Sequence, residues 1–376
     1  MFSKHTQLLR AVTIALVAPA AAAADDQSFQ LSGFMSVTAG AVLSGDYDQR
    51  LAYNPQIQCP CAITDWTYNG VYEGSSWTAK PDTKAGLQLT WNITDQLGFT
   101  TQVVSRATEP QPDVQWAYMS YKFADHWELD LGRKRIPLYF YSDFQDVGFA
   151  YPWITPPSEV YGWESTNYNG ASVSHSMKWG GADARASVFG GRETVKHNPY
   201  VENYYTENTN TNWDNIVGTD LEVSKDWWTV RAVYVQADIR FNDRMWQTKD
   251  HSQMQAYGLA FNGDFGDWFF VSEIGQNNRK DTDWPDYSRI KAPAYSVGVG
   301  YRFADRWTAL VNTSGFRERS NDPAYEYFRY RSNTVGLRYD LTSKSDIKVQ
   351  FDKHDDKSDN FTGDSDLLRV SYDMVF

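Results

Sequence analysis

The sequence predicts an all-β chain, a transmembrane antiparallel β-barrel of sixteen strands with long connections at one end and tight turns at the other. Three observations predict it. Apolar and polar residues alternate in one segment after another, the period of a strand with two unlike faces. Long polar connections and tight turns take strict turns along the chain. After the N-terminal segment there is no run of ~18 apolar residues, which excludes a helical span.

The chain opens on an export signal. Lys4 and Arg10 supply its positive region, Ala11 to Ala20 its short apolar stretch, and Ala22-Ala23-Ala24 a small-residue cleavage site. Residues 1–24 are expected to be removed, leaving 25–376 as one barrel domain with no linker to divide it. Removal takes the formal net charge from −12 to −14. That acidity, with no basic cluster interleaved with aromatics, argues against nucleic acid as a partner. The mean hydropathy is −0.57 although 16% of residues are aromatic. Such a chain alternates wet and greasy residues instead of building one large core, and Trp and Tyr favour water–apolar boundaries.

The alternation can be followed along the chain. Leu87, Leu89, Trp91 and Ile93 share one parity, with Gln88, Thr90 and Asn92 between them. Leu97, Phe99, Thr101 and Val103 repeat the pattern, as do Tyr295, Val297, Val299, Tyr301 and Phe303. Val335, Leu337, Tyr339 and Leu341 follow, then Ile347, Val349 and Phe351, and finally Leu368, Val370, Tyr372, Met374 and Phe376.

Seven tight turns are expected, at 92–95, 124–126, 178–181, 225–227, 264–267, 304–305 and 342–345. Eight longer polar connections are expected, at about 44–83, 107–113, 134–168, 191–213, 240–252, 275–291, 316–327 and 354–363. Fifteen connections make sixteen strands, with both termini on the tight-turn side. An even strand number, short turns on one side and long loops on the other describe a bacterial outer-membrane barrel. Lipid leaves no other choice for a sheet, because an open edge would strand unpaired backbone groups in hydrocarbon. A propeller would show a repeated blade motif, which is absent, and a sandwich would not alternate its connections so regularly.

One connection stands apart. Leu131 to Glu164 reads "LGRKRIPLYFYSDFQDVGFAYPWITPPSEVYGWE" and carries Asp143, Asp146, Glu159 and Glu164. A segment so rich in rings is a poor candidate for standing free in water, which points it inward against the barrel wall. Its rings, among them Tyr141, Phe144 and Trp153, offer either a stacking surface for sugars or anchors for the segment, the second being the commoner use. Parity supplies basic residues for the facing wall: Lys84, Arg106, Arg185, Arg231, Arg338, Lys348 and Arg369, with Arg133 and Arg135 at the strand end that leads into the segment. An Arg or Lys on the lipid face near mid-bilayer would cost ~2–4 kcal/mol, so the charged parity points inward. Asp183, Asp220, Glu222 and Asp346 turn inward by the same rule.

"QWAYMSYKF" (Gln115–Phe123) followed by "LDLGRKR" (Leu129–Arg135) resembles the fourth and fifth strands of the general porins of Gram-negative outer membranes. The resemblance in plan covers signal, sixteen strands, third loop and terminal Phe. It implies a third loop that bends into the lumen, with acids on the loop opposite bases on the wall. It implies a passive channel for small hydrophilic solutes, not an enzyme, without cofactor, assembled as a homotrimer among outer-membrane lipid and lipopolysaccharide. It also implies that Tyr372 and Phe376 belong to a signal read by the barrel-assembly machinery. The family's usual Pro-Glu-Phe-Gly-Gly-like loop tip is replaced here by Asp-Phe-Gln-Asp-Val-Gly-Phe and Pro-Trp-Ile-Thr-Pro-Pro. Two rivals stand beside this reading. One is a channel selective for a carbohydrate or an organic anion, with a binding site at the constriction. The other is a closed barrel whose loops bind a partner.

Other motifs point nowhere further. Cys59 and Cys61 flank one proline, and an exported chain can oxidise them to a local disulfide. His126, His175, His197, His251 and His354 lack metal-ligand spacing. His175 and Ser176 are strand neighbours, so they face opposite ways and cannot act as base and nucleophile together. Gly298 and Gly300 have no helix behind them for a dinucleotide. Asp281, Asp283, Asp286, Asp355, Asp356 and Asp359 form acidic loop clusters, read as solvated surface ahead of a Ca²⁺ or Mg²⁺ site.

Overall fold

A computed structural model describes residues 29–46, 57–196, 198, 210–242, 249–282, 289–323, 325, 327–359 and 363–376. The expected signal (1–24), His197, Asp283 and Asp286 lie outside the described residues.

Sixteen antiparallel strands close into a barrel. They are β1 (Phe29–Gly45), β2 (Lys84–Asn92), β3 (Leu97–Arg106), β4 (Asp113–Ala124), β5 (Trp127–Arg135), β6 (Asn167–Trp179), β7 (Ala182–Val195) and β8 (Asn210–Lys225). The second half comprises β9 (Trp228–Asn242), β10 (Lys249–Asp264), β11 (Trp268–Asp281), β12 (Arg289–Phe303), β13 (Trp307–Arg317), β14 (Arg329–Thr342), β15 (Ser345–Asp356) and β16 (Ser365–Val375). Each strand pairs with its neighbours in the chain, and β1 closes the ring on β16 from Phe34↔Val375 to Gly45↔Ser365. At the other face of β1 the register runs Phe29↔Trp91 to Ser36↔Lys84.

Burial follows the sequence parity. Leu87, Val103, Val299, Val311, Val335, Leu337, Val349 and Val370 are exposed, although they are apolar. That is unfavourable in water and expected in hydrocarbon. Near the tight turns the outward face carries a ring of aromatics. Trp227 stacks near Phe265 (4.6 Å between centroids), Trp268 near Tyr301 (4.6 Å) and Trp307 near Tyr339 (4.7 Å). This is a girdle at the membrane–water boundary.

The inward face departs from the expected uniform polarity. Val233, Val235, Ala237 and Ile239 on β9, Met254 and Ala256 on β10, Phe269 and Val271 on β11 and Leu310 on β13 all point inward and are buried. They are not wetted because the segment after β5 covers them, with Ile136, Leu138 and Trp163 in one cluster and Tyr141, Tyr151, Trp153 and Tyr161 in another.

The first long connection also has structure of its own, a hairpin of Cys61–Asp65 and Gly70–Glu73. Cys59 and Cys61 are joined in a disulfide at its start. Tyr72 of this hairpin packs with Val42 and Leu367 against the seam between β1 and β16.

Val335 sits mid-strand on the exposed parity of β14. Val335→Arg is expected to lower stability by ~2–4 kcal/mol in urea titrations of the barrel folded into lipid vesicles. An unchanged midpoint would mean that this face does not meet hydrocarbon.

Candidate functional site

Between Arg135 and Asn167 the chain leaves the barrel wall and returns. Prolines at 137, 152, 156 and 157 keep it from extended regular structure, and it holds two 3-10 turns (Ser142–Phe144 and Gly148–Ala150) and one α-helical turn, α1 (Ser158–Tyr161). It is fastened by side chains on nine strands: β2, β3, β5, β9, β11, β13, β14, β15 and β16.

Asp146 is the centre of the fastening. Arg106 of β3 donates to both its oxygens, at 2.7 and 2.8 Å. Arg135 of β5 donates to Oδ2, and the Lys84 ammonium of β2 lies 3.6 Å away. All four side chains are buried. The guanidinium of Arg106 also lies 3.6 Å from the centre of the Tyr68 ring, which comes from the first connection. Burial acts to raise the Asp146 pKa, but the charges of Arg106, Arg135 and Lys84 outweigh it. They hold the carboxyl well below the usual carboxylate range.

Further round the ring the contacts change character. Lys348 of β15 donates to the Gly148 carbonyl at 2.6 Å, and Arg338 of β14 to the Phe149 carbonyl at 2.9 Å. The amide of Ile154 donates to Gln350 at 2.8 Å, and Arg369 to the Thr155 hydroxyl at 2.8 Å. Glu159 accepts from Ser314 at 2.9 Å and from Ser332. Across the ring, Glu273 of β11 accepts from the Phe140 amide at 3.0 Å and from the Tyr161 hydroxyl. Arg231 of β9 donates to the Phe140 carbonyl at 3.3 Å and lies 3.6 Å from Asp143. Gly148 is a glycine for want of room, since a Cβ there would sit 2.1 Å from Asp373 Oδ1 and 2.5 Å from Ser36 Oγ.

The residues singled out from sequence therefore fall into groups. Lys84, Arg106, Arg135, Arg231, Arg338, Lys348 and Arg369 meet the segment directly. Arg133 does not; it pairs with Glu193 and donates to the Val114 carbonyl. Arg185 stands exposed close to the tight turn that precedes β7. Tyr141, Trp153, Tyr151 and Tyr161 are buried against one another and the wall, with Phe144 edge-on to Tyr141 at 5.5 Å. A stacking surface needs open ring faces, so packing gives these rings the anchoring role. Tyr372 lies on the outward parity of β16 beside Met374. Phe376 is exposed, its backbone paired with Gly33.

Sequence reasoning missed Asp82, Tyr68, Glu273 and Gln350. Asp82 accepts from Arg369 at 2.9 Å and from Tyr72 at 2.9 Å, so the first connection also ties into the site. Nothing in a loop sequence signals that. Glu273 was hidden because Phe269 and Val271 share its parity, so both faces of β11 read as apolar. Among the described residues no cluster of His, Cys, Asp and Glu is arranged to hold a metal ion.

A family model described as Gram-negative porin matches residues 11–360. The chain belongs to the Gram-negative porin family. It is an outer-membrane diffusion channel. In fold this porin is similar to OmpF of Salmonella typhi in complex with daunomycin, with a TM-score of 0.61 and 14% identity over 93% of this chain and 97% of that one. It is similar to an anion-selective porin from Comamonas acidovorans, with a TM-score of 0.60 and 11% identity over 93% and 99%. It is also similar to OmpT of Vibrio cholerae in its trimer form, with a TM-score of 0.55 and 11% identity over 93% and 99%. The curated proteins give no match.

Asp146→Asn removes the one carboxylate that three buried cations share. The loss is expected to weaken segment docking by ~3–5 kcal/mol, read as faster hydrogen exchange of the amides from 139 to 155. The pH dependence has a definite sign. A depressed carboxyl contributes stability that is complete above its unfolded value of about 3.9 and is lost as pH falls through the lower, folded value. Exchange protection of the wild type should thus persist at pH 4, while Asp146→Asn shows no pH dependence from this group.

Proposed function

We propose that Ile136–Thr166 lies across the lumen and sets the size limit of a passive channel for small hydrophilic solutes and ions. One observation carries this reading. The same segment bonds to Arg106 on β3 and to Glu273 on β11, strands eight places apart in a ring of sixteen. A segment held by opposite walls has to cross the space between them. Acids and bases of both signs flank it, and opposed charges across a narrow water path orient dipolar solutes and filter ions. No bond is made or broken in this reading, and no cofactor is called for.

A second reading, selectivity for an organic anion, is favoured by one detail. Arg106 and Arg135 share Asp146, yet the Nε and Nη1 of each is buried without a hydrogen-bond partner among the described residues. Buried donors without an acceptor would be satisfied by a small carboxylate that reaches them. The trimer form of the Vibrio cholerae protein supports a homotrimer here. Residues 1–24 as export signal, and Tyr372 with Phe376 as the signal for barrel assembly, complete the proposal.

Single-channel recording in a planar bilayer tests it. Stepwise, long-lived conductance is expected for the wild type, and larger steps when Asp146→Asn loosens the segment. A well-inserted protein that passes no current would sink the channel and favour a closed barrel that acts through its loops. Saturable block by small carboxylates, lost in Arg106→Gln, would favour the anion-selective reading over the general one.

A further inference from the structure

Two rings on the lumen side of β4 have no cover. Trp116 and Tyr118 stand opposite Gln102 and Thr100 of β3, which fixes their parity as inward, against the exposed Met119 and Tyr121. Inward rings on other strands are packed away. Phe34, Tyr168, Phe189, Trp213 and Phe269 all lie in apolar clusters with the segment from 136 to 166. Trp116 and Tyr118 belong to no such cluster and are half-buried. They stand edge to face, with 6.3 Å between centroids and 63° between planes. Ring surface left in water forgoes the stabilisation that burial would supply, so packing does not account for this pair.

Polar groups flank the rings on both sides. Toward β2, Gln102 donates to Gln88 at 3.0 Å. That bond leaves the Gln102 carbonyl oxygen and the Gln88 amide N–H groups without a partner among the described residues. Toward β6, the Lys134 ammonium lies 5.0 Å from the centre of the Tyr118 ring and 3.2 Å from the Ser172 hydroxyl. It is paired with Asp130, which also accepts from Ser120 at 2.7 Å. The two charges cancel in place. A charged solute would therefore find no unmatched opposite charge on this strip, and a purely apolar one would leave the amides unused. A sugar ring has an apolar C–H face that suits an electron-rich aromatic face, and a rim of hydroxyls that each donate and accept.

We propose that Trp116 and Tyr118, with Gln88, Gln102 and Lys134 around them, form a binding strip for a pyranose sugar on the lumen wall. The rings take the C–H face of the sugar, and the amides and the ammonium take its hydroxyls. The strip gives cyclic sugars a saturable step that size alone would not produce, so it sets a preference among hydrophilic solutes of equal bulk. It rests on the channel reading, because a closed barrel would bring no solute past it.

The test is the current through the full-length protein in a planar bilayer as maltose is added, with sorbitol and uridine as comparison solutes. Sorbitol has the hydroxyls without the ring, and uridine brings a flat heterocycle. Maltose is expected to reduce the current saturably, while sorbitol lowers it only in proportion to concentration. Trp116→Ala should weaken the maltose effect about tenfold, and Gln88→Leu about threefold. Tyr118→Phe keeps the ring and should retain most of the effect, whereas Tyr118→Ala should not. These variants keep the question open to decision if Trp116→Ala fails to fold. Equal block of wild type and Trp116→Ala would overturn the proposal, as would saturable block by sorbitol. Tighter block by uridine than by maltose would overturn the choice of sugar. A wild type that passes no current would count against the channel reading instead. Maltose titrated against tryptophan fluorescence in detergent then decides the strip alone: a saturable change that Trp116→Phe abolishes supports it, and no change overturns it.

Discussion

Every backbone N–H and C=O that meets hydrocarbon must find its partner within the sheet, and this constraint shapes the rest of the molecule. An unpaired group in that setting costs several kcal/mol, and an open sheet has two edges full of them. The pairing of β1 with β16 removes both edges at once. With the ring closed, each residue has only two directions available, lipid or lumen. The period-2 pattern follows, because a one-residue slip in any strand would carry a whole polar face into lipid. An even strand number follows from closing the ring antiparallel, while the aromatic girdle answers to the membrane–water boundary.

Closure also creates a problem in the interior. A ring of sixteen strands encloses more space than wall side chains fill, so charged groups on the wall face water unless something reaches them. The segment after β5 reaches them. Its fastening is electrostatic where Asp146 meets Lys84, Arg106 and Arg135, and apolar where Tyr141, Tyr151 and Tyr161 meet Phe269, Val271 and Leu310. The two kinds of contact do different work. Ring packing is non-directional and supplies affinity for the wall, whereas the directional contact of Arg106 Nη2 with both Asp146 oxygens fixes register. Backbone carbonyls at 148 and 149 accept from Lys348 and Arg338, whose charges are met on the wall itself by Asp373 and by Asp340 and Asp346.

Much of this was legible before the structure. The strands could be placed because lipid enforces parity with a penalty of ~2–4 kcal/mol per misplaced Arg or Lys. That same penalty turned Arg106, Arg231, Arg338, Lys348 and Arg369 inward. The rule works on one strand at a time and stops at direction. It grouped Arg133 and Arg185 with the others, though the first pairs with Glu193 and the second stands near a turn. It passed over Glu273, whose neighbours on both parities are apolar, and it had nothing to say of Asp82 or Tyr68 in a long connection.

The sequence by itself determined the ring, which face of each strand meets lipid, and the composition of the segment after β5. Each of these is a local matter, settled by a residue and the residues within two or three positions of it against a solvent of known polarity. Only the tertiary structure decided which cations share Asp146, that the rings of the segment are buried instead of open, and that Trp116 and Tyr118 are left uncovered on the lumen side. Those outcomes depend on residues far apart in the chain, such as 106 with 146 or 140 with 273, and on the register of one strand against the next. No local pattern encodes such distances, because they arise only when the ring has closed.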